Sequence, residues 1–141
     1  MTTGDALEVI ASLVAALKTY ASKLPAVVHL SVVPQGMKPT PEVIEAYETA
    51  VSRFRTQSGS SIYRKLNDHF IESLEAFEAG RLLSAIQPLL RAIDHLERLQ
   101  QDKEITVSPP DAQRIVEYRT ALHKILPGKN PELEGAGRGM G

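Results

Sequence analysis

The chain contains no cysteine and no tryptophan. The first absence excludes disulfides, thiolate zinc sites and a cysteine nucleophile. Aromatic residues make up only 5% of the chain, so its core has to be built from Leu, Ile, Val and Ala. An excess of charge of one sign is missing too: 16 basic residues stand against 17 acidic ones, for a net charge of −1. That balance argues against a protein whose whole surface grips nucleic acid. The longest apolar run, near Val9 to Leu17, falls short of the roughly 20 residues that cross a bilayer. No basic segment precedes an apolar run near Met1, so no signal peptide is read. These absences lead to the expectation of a cytoplasmic protein without a membrane partner. With 141 residues, of which 43% are hydrophobic, the chain is long enough for one core. The expected organisation is a single domain over 1–128, followed by a Gly-rich, disordered tail over 129–141.

What is present is helical periodicity, most clearly from Ser60 to Lys103. Ile62, Leu66, Phe70, Leu74 and Phe77 recur every three or four residues, as one face of an α-helix does. Ser60 or Ser61 can cap its start, and Gly80 can end it by adopting a left-handed conformation. Leu82, Ile86, Leu89, Ile93 and Leu96 repeat the pattern in a second limb, which Leu83, Leu90 and Leu99 widen. Pro88 interrupts that limb, since it offers no N–H to the Ser84 carbonyl. The preferred reading is a helix from Arg81 or Leu82 that bends at Pro88. A helix starting at a Ser84–Gln87 capping box is the alternative.

Other helices flank this hairpin. Ala6 to Leu24 carries Leu7, Ile10, Val14, Leu17, Ala21 and Leu24 in heptad spacing, with Val9, Leu13 and Tyr20 as a second stripe. A helix this apolar is either central in a bundle or shared with another subunit. Thr40-Pro41-Glu42 is a strong helix start, followed by Val43, Tyr47, Ala50, Val51 and Phe54 on one face. Ser108-Pro109-Pro110-Asp111 opens a last helix with Ile115, Tyr118, Leu122 and Ile125 facing inward. Pro25 to Pro34 fits either a short helix or an extended segment. The expected fold is therefore an all-α antiparallel bundle of about five helices around a central hairpin.

Short stretches are similar to known families. Gly80, Ala85, Leu89 and Ala92 resemble the second half of a tetratricopeptide repeat over about thirteen residues. No 34-residue period follows, so the match is read as small residues at a close helix crossing. Arg91-Ala-Ile-Asp94-His95 resembles the Arg…His pair of HEPN ribonucleases, which would make Arg91 and His95 nuclease residues. The spacing is shorter here and Ala92 replaces a polar residue, so a solvated i, i+4 pair is the preferred reading. Glu42-x-x-Glu45 and Glu72-x-x-Glu75 resemble the Mg²⁺-holding motifs of all-α nucleotide pyrophosphohydrolases of the MazG kind, although the second motif ends in Glu75 rather than Asp. His69 and Glu72 share one helix face, but the further ligands of a di-iron bundle are absent from the pattern. No metal or other cofactor is assigned, and no catalytic residue.

Charge placement is the most informative feature. No acid occurs from Thr49 to Asn67, where Arg53, Arg55, Arg64 and Lys65 fall, with Phe54 and Tyr63 among them. Glu42, Glu45 and Glu48 precede this stretch; Glu72, Glu75 and Glu78 follow it. Antiparallel packing gathers the cations at one end. In the third helix the layout opposes the macrodipole, at about 0.3–1 kcal/mol per charge. A basic pole of Arg53, Arg55, Tyr63, Arg64 and Lys65 suits a protein partner, a second copy or single-stranded nucleic acid. The first reading is a non-enzymatic interaction or assembly module that self-associates through Leu7, Ile10, Leu13, Val14 and Leu17. A nucleic-acid-associated subunit using the basic end and a Mg²⁺-dependent nucleotide hydrolase are the alternatives.

Overall fold

Thr2 and Asp5 start the first helix. The Thr2 N–H donates to Asp5 Oδ2 and the Asp5 N–H donates to Thr2 Oγ1, at 2.9 and 3.1 Å. This reciprocal capping box explains why α1 begins at Thr3, one turn before its apolar stripe. The computed structural model describes residues 1–22 and 39–125, as α1 (Thr3–Ser22), α2 (Pro41–Ser58), a 3₁₀ turn (Ile62–Leu66), α3 (Asn67–Glu78), α4 (Leu82–Gln101) and α5 (Pro109–Ile125). Among the described residues there is no strand, and the fold is an all-α bundle. The expectations for Pro25 to Pro34 and for 129–141 lie outside the described residues.

α2 starts where the Thr40-Pro41 signature puts it, with Thr40 Oγ1 accepting from the Val43 N–H. Ser108 does the same for α5, accepting from the Asp111 N–H at 3.3 Å. The run from Ile62 is not one α-helix. Its first turn is 3₁₀, and Ser61, in the cap position, makes no side-chain capping bond. α3 proper begins at Asn67, with Asp68 in its first turn. The conflict with the macrodipole persists: Arg64 and Lys65 directly precede the N-terminus of α3 and Glu75 and Glu78 lie in its last turn, with Asp68 alone favourably placed in its first turn.

α3 ends on Gly80 at φ 75°, with the Arg81 N–H donating to the Ala76 carbonyl and the Gly80 N–H to the Phe77 carbonyl. This pair of bonds is a Schellman ending. α4 ends in the same way at Leu99 and Gln100, but Lys103 holds the left-handed position at φ 60°. Between these two endings α4 runs continuously through Pro88, as the preferred reading had it.

Side-chain contacts fix the topology. Tyr20 near the end of α1 meets Phe77 near the end of α3, edge to face at 5.5 Å. Tyr47 near the start of α2 stacks on the same ring at 4.5 Å. At the other end the Tyr63 hydroxyl donates to Thr3 Oγ1, which donates to the Thr106 carbonyl. Consecutive described helices are therefore antiparallel, and α5 lies parallel to α1, joined to it by Arg114–Glu8 at 2.6 Å.

Besides the Tyr63–Thr3–Thr106 link, the described core holds a polar chain across α2, α3 and α4. The Tyr47 hydroxyl donates to Ser73 Oγ, and Ser73 Oγ donates to the Ala85 carbonyl at 2.7 Å. This chain crosses from α2 through α3 to the turn of α4 that precedes Pro88. Ala85 and Ala92 are fully buried, which fits the close crossing expected from their size. Burial pushes the Tyr47 phenol far above its ordinary range, against the smaller lowering effect of its bond to Ser73, so it stays a neutral donor.

Candidate functional site

The proposed self-association face is not a surface. Leu7, Ile10, Leu13 and Leu17 are fully buried and Val14 nearly so, all within one chain. α1 is the central helix: α2, α4 and α5 all pack on it. Its apolar width is used inside the bundle, which corrects the assignment of those five residues to an interface. The error is physical: a wide stripe identifies a helix with several neighbours but not whose neighbours they are.

The basic end is a surface in part. Arg53, Arg55, Arg64 and Lys65 are all exposed. α2 and the 3₁₀ turn are in contact, so the four cations occupy adjoining segments at one end of the bundle. Among the described residues none of the four pairs with a carboxylate. By contrast Arg91 is held by Glu72 at 2.6 Å, Arg114 by Glu8 and Asp111, and Arg119 by Asp94 and Glu97. Tyr63 does not belong with the cations. It is 7% exposed and its hydroxyl is spent on Thr3, so it is a structural strut. Phe54 is fully buried against Phe70, with ring centroids 4.6 Å apart. Neither ring is available to stack on a base, and any ligand here would meet charge and backbone alone.

The remaining candidates separate. Glu42, Glu45, Glu72 and Glu75 are exposed on α2 and α3, and Glu72 is taken up by Arg91. Among the described residues no three His, Cys, Asp or Glu side chains converge as a metal-holding group. Arg91 and His95 do not act as a pair: Arg91 turns to Glu72, while His95 meets His69, ring centroids 5.8 Å apart and nearly perpendicular. Asp94 and Glu97, on the same helix as Arg91, are both claimed by Arg119 of α5.

Burial, the largest influence, lowers both imidazoles below their ordinary range. For His69 it is reinforced by His95 and Arg91 and opposed by Glu72 and Asp68. For His95 it is reinforced by Arg98 and Lys65 and opposed by Glu104. The contact between the imidazoles was not legible in sequence, because His69 and His95 lie on separate helices and only the hairpin register brings them together. An open groove of about 420 Å³ also runs between α1 and α5, lined by Ala11, Val14, Ala15, Lys18, Tyr118 and Ala121 among others. Among the described residues no helix is long and apolar enough to cross a membrane. No family model, no curated protein and no solved structure matches the chain.

Proposed function

We propose that this chain is a non-catalytic interaction module that takes an anionic partner through Arg53, Arg55, Arg64 and Lys65. One observation carries the reading: among the described residues, four exposed cations on adjoining segments have no carboxylate partner, whereas Arg91, Arg114 and Arg119 are each spent on joining helices. A chain of net charge −1 gains little long-range attraction from its total charge. Local placement therefore has to supply the recognition. With Tyr63 and Phe54 buried, charge supplies it without aromatic stacking.

The test is the response to charge reversal and to salt. Arg55→Glu with Arg64→Glu should abolish partner binding and leave the helical circular dichroism unchanged. If the partner is a single-stranded oligonucleotide, four phosphate contacts give a slope of log K on log salt near about −3, at about −0.7 per contact. If the partner is a second copy offering its own acids, the reversal should dissociate the oligomer, and reversing Glu72 and Glu75 as well should restore it. Should neither oligonucleotide binding nor oligomeric state respond to the reversal, the basic end is only a solvated face and the proposal falls.

A further inference from the structure

The seam between α3 and α4 carries a polar ladder along an otherwise apolar hairpin. On one side Lys65, His69 and Glu72 follow at helical spacing; on the other stand Arg91, His95 and Arg98. Because the two limbs run antiparallel, these residues meet as rungs. Glu72 meets Arg91 at 2.6 Å, and His69 meets His95 with centroids 5.8 Å apart. Lys65 and Arg98 complete the series towards the basic end, and both act on His95. The other charges felt by the two rings are Asp68, Glu72 and Arg91 on His69 and Glu104 on His95. Asp94 and Glu97, on the same helix as His95, are committed to Arg119 of α5.

We propose that His69 and His95, with Lys65 and Arg98 beside them, form a proton-coupled binding site for a phosphate group. Protonating both rings would put two positive charges 5.8 Å apart, next to two permanent cations. The protein alone disfavours that state, because like charges in a partly desolvated seam repel. A dianion over this rung offsets the penalty: each imidazolium donates an N–H to an anionic oxygen, and Lys65 and Arg98 add to the attraction for it. Linkage is reciprocal, so bound anion raises the imidazole pKa values by as much as protonation tightens the anion. The inference rests on the reading that the neighbouring end takes an anionic partner, since Lys65 belongs to both. It adds that the anionic group is phosphate and that acidity favours its capture.

Phosphate monoesters titrate near about pH 6 themselves, which would blur the result. Sulfate stays a dianion across the range and serves as the probe. The full chain is titrated with sulfate at constant ionic strength, at about pH 5.5 and about pH 7.5, either side of the ordinary imidazole value. Binding is followed through the imidazole C–H resonances of His69 and His95. The expected result is about tenfold tighter binding at the lower pH, within the usual range for coupled sites. Sulfate should also move the titration midpoints of both rings upward.

His69→Gln with His95→Gln should lose the pH dependence while keeping the helical circular dichroism. Equal affinity at both pH values in the natural chain, or pH dependence that survives in the double variant, would overturn the proposal. Should the double variant not fold, the titration of the natural chain still decides. Arg55→Glu with Arg64→Glu should weaken sulfate at both pH values but keep the ratio between them while removing the larger partner, so the two readings fail separately. Repeating the titration with a sugar monophosphate and with an unphosphorylated oligonucleotide identifies the source of the phosphate. A response of the two rings to either supports the site. Silence to both sinks the assignment to phosphate, whatever sulfate does.

Discussion

α4 and α5 have similar lengths, 20 and 17 residues, yet different forces hold them in the bundle. α4 buries nine side chains, among them Leu82, Ile86, Leu89, Ile93 and Leu96. α5 buries two, Ile115 and Leu122, and is fastened at its flanks by Arg114 to Glu8 and by Arg119 to Asp94 and Glu97. Apolar burial is worth about 1.5–3 kcal/mol per large side chain, whereas exposed ion pairs contribute roughly 0–1 kcal/mol. Two helices with the same kind of apolar period can thus differ severalfold in how firmly they are held. The second, fastened largely by charge, should therefore respond to salt more than the first, whose ion pairs add little to its burial.

The largest effect expected is at α4. Leu89→Ala removes a fully buried side chain and should cost about 2–5 kcal/mol, read as a lower unfolding midpoint in urea with helicity lost in one step. Ser73→Ala comes next. It strips the buried Tyr47 hydroxyl of its acceptor and should cost about 1–3 kcal/mol. Tyr47→Phe added to it should recover part of the loss, since no buried donor is then left unmet. If the pair of changes is strictly additive, the polar chain is not a unit.

Smaller effects probe the ends and flanks. Arg119→Ala should cost about 1 kcal/mol and raise amide exchange in α5 before any other helix. Uniform exchange across the bundle would show that α5 is not the weaker partner. Lys103→Gly should stabilise by about 1 kcal/mol, because glycine takes the left-handed position without a Cβ penalty, as Gly80 does after α3.

The pH effect is a matter of direction. Both imidazoles lie below the ordinary value of 6.5, so the unfolded chain binds protons more readily than the folded one. Stability should be full above about pH 6.5 and fall as pH drops through the lower folded values. Thermal midpoints of the natural chain should show that decline from pH 6.5 downward, and those of the double glutamine variant should not.

Much of this architecture was legible because it is local. The Thr40-Pro41 start of α2, the Ser108-Pro109 start of α5 and the glycine after α3 are decided by neighbouring residues. Leu66, Phe70 and Phe77 are buried as their period requires. What failed to show was set by distant partners. Tyr63 looked like a surface aromatic among cations, and only Thr3, sixty residues away, makes it a strut. Ser73 stands inside an apolar face with nothing local to mark it, and is the middle of a buried polar chain. The 3₁₀ start before α3 escaped notice since residues three and four apart face alike in both helix types over one turn. The basic end was visible as a run without acid, and its four cations are exposed. The His69–His95 contact needed the register of two helices.

The parallel seating of α5 on α1 bears on the order of assembly. Glu8 and Arg114 are 106 residues apart, while α3 and α4 are joined by a turn. Closing the short loop costs far less chain entropy than closing the long one, so the hairpin can form early and the α1–α5 seam late. During synthesis α1 is therefore made with an apolar face whose last covering, α5, begins at Pro109, 87 residues after α1 ends at Ser22. That nascent helix, rather than any surface of the finished bundle, is where a chaperone would find something to hold.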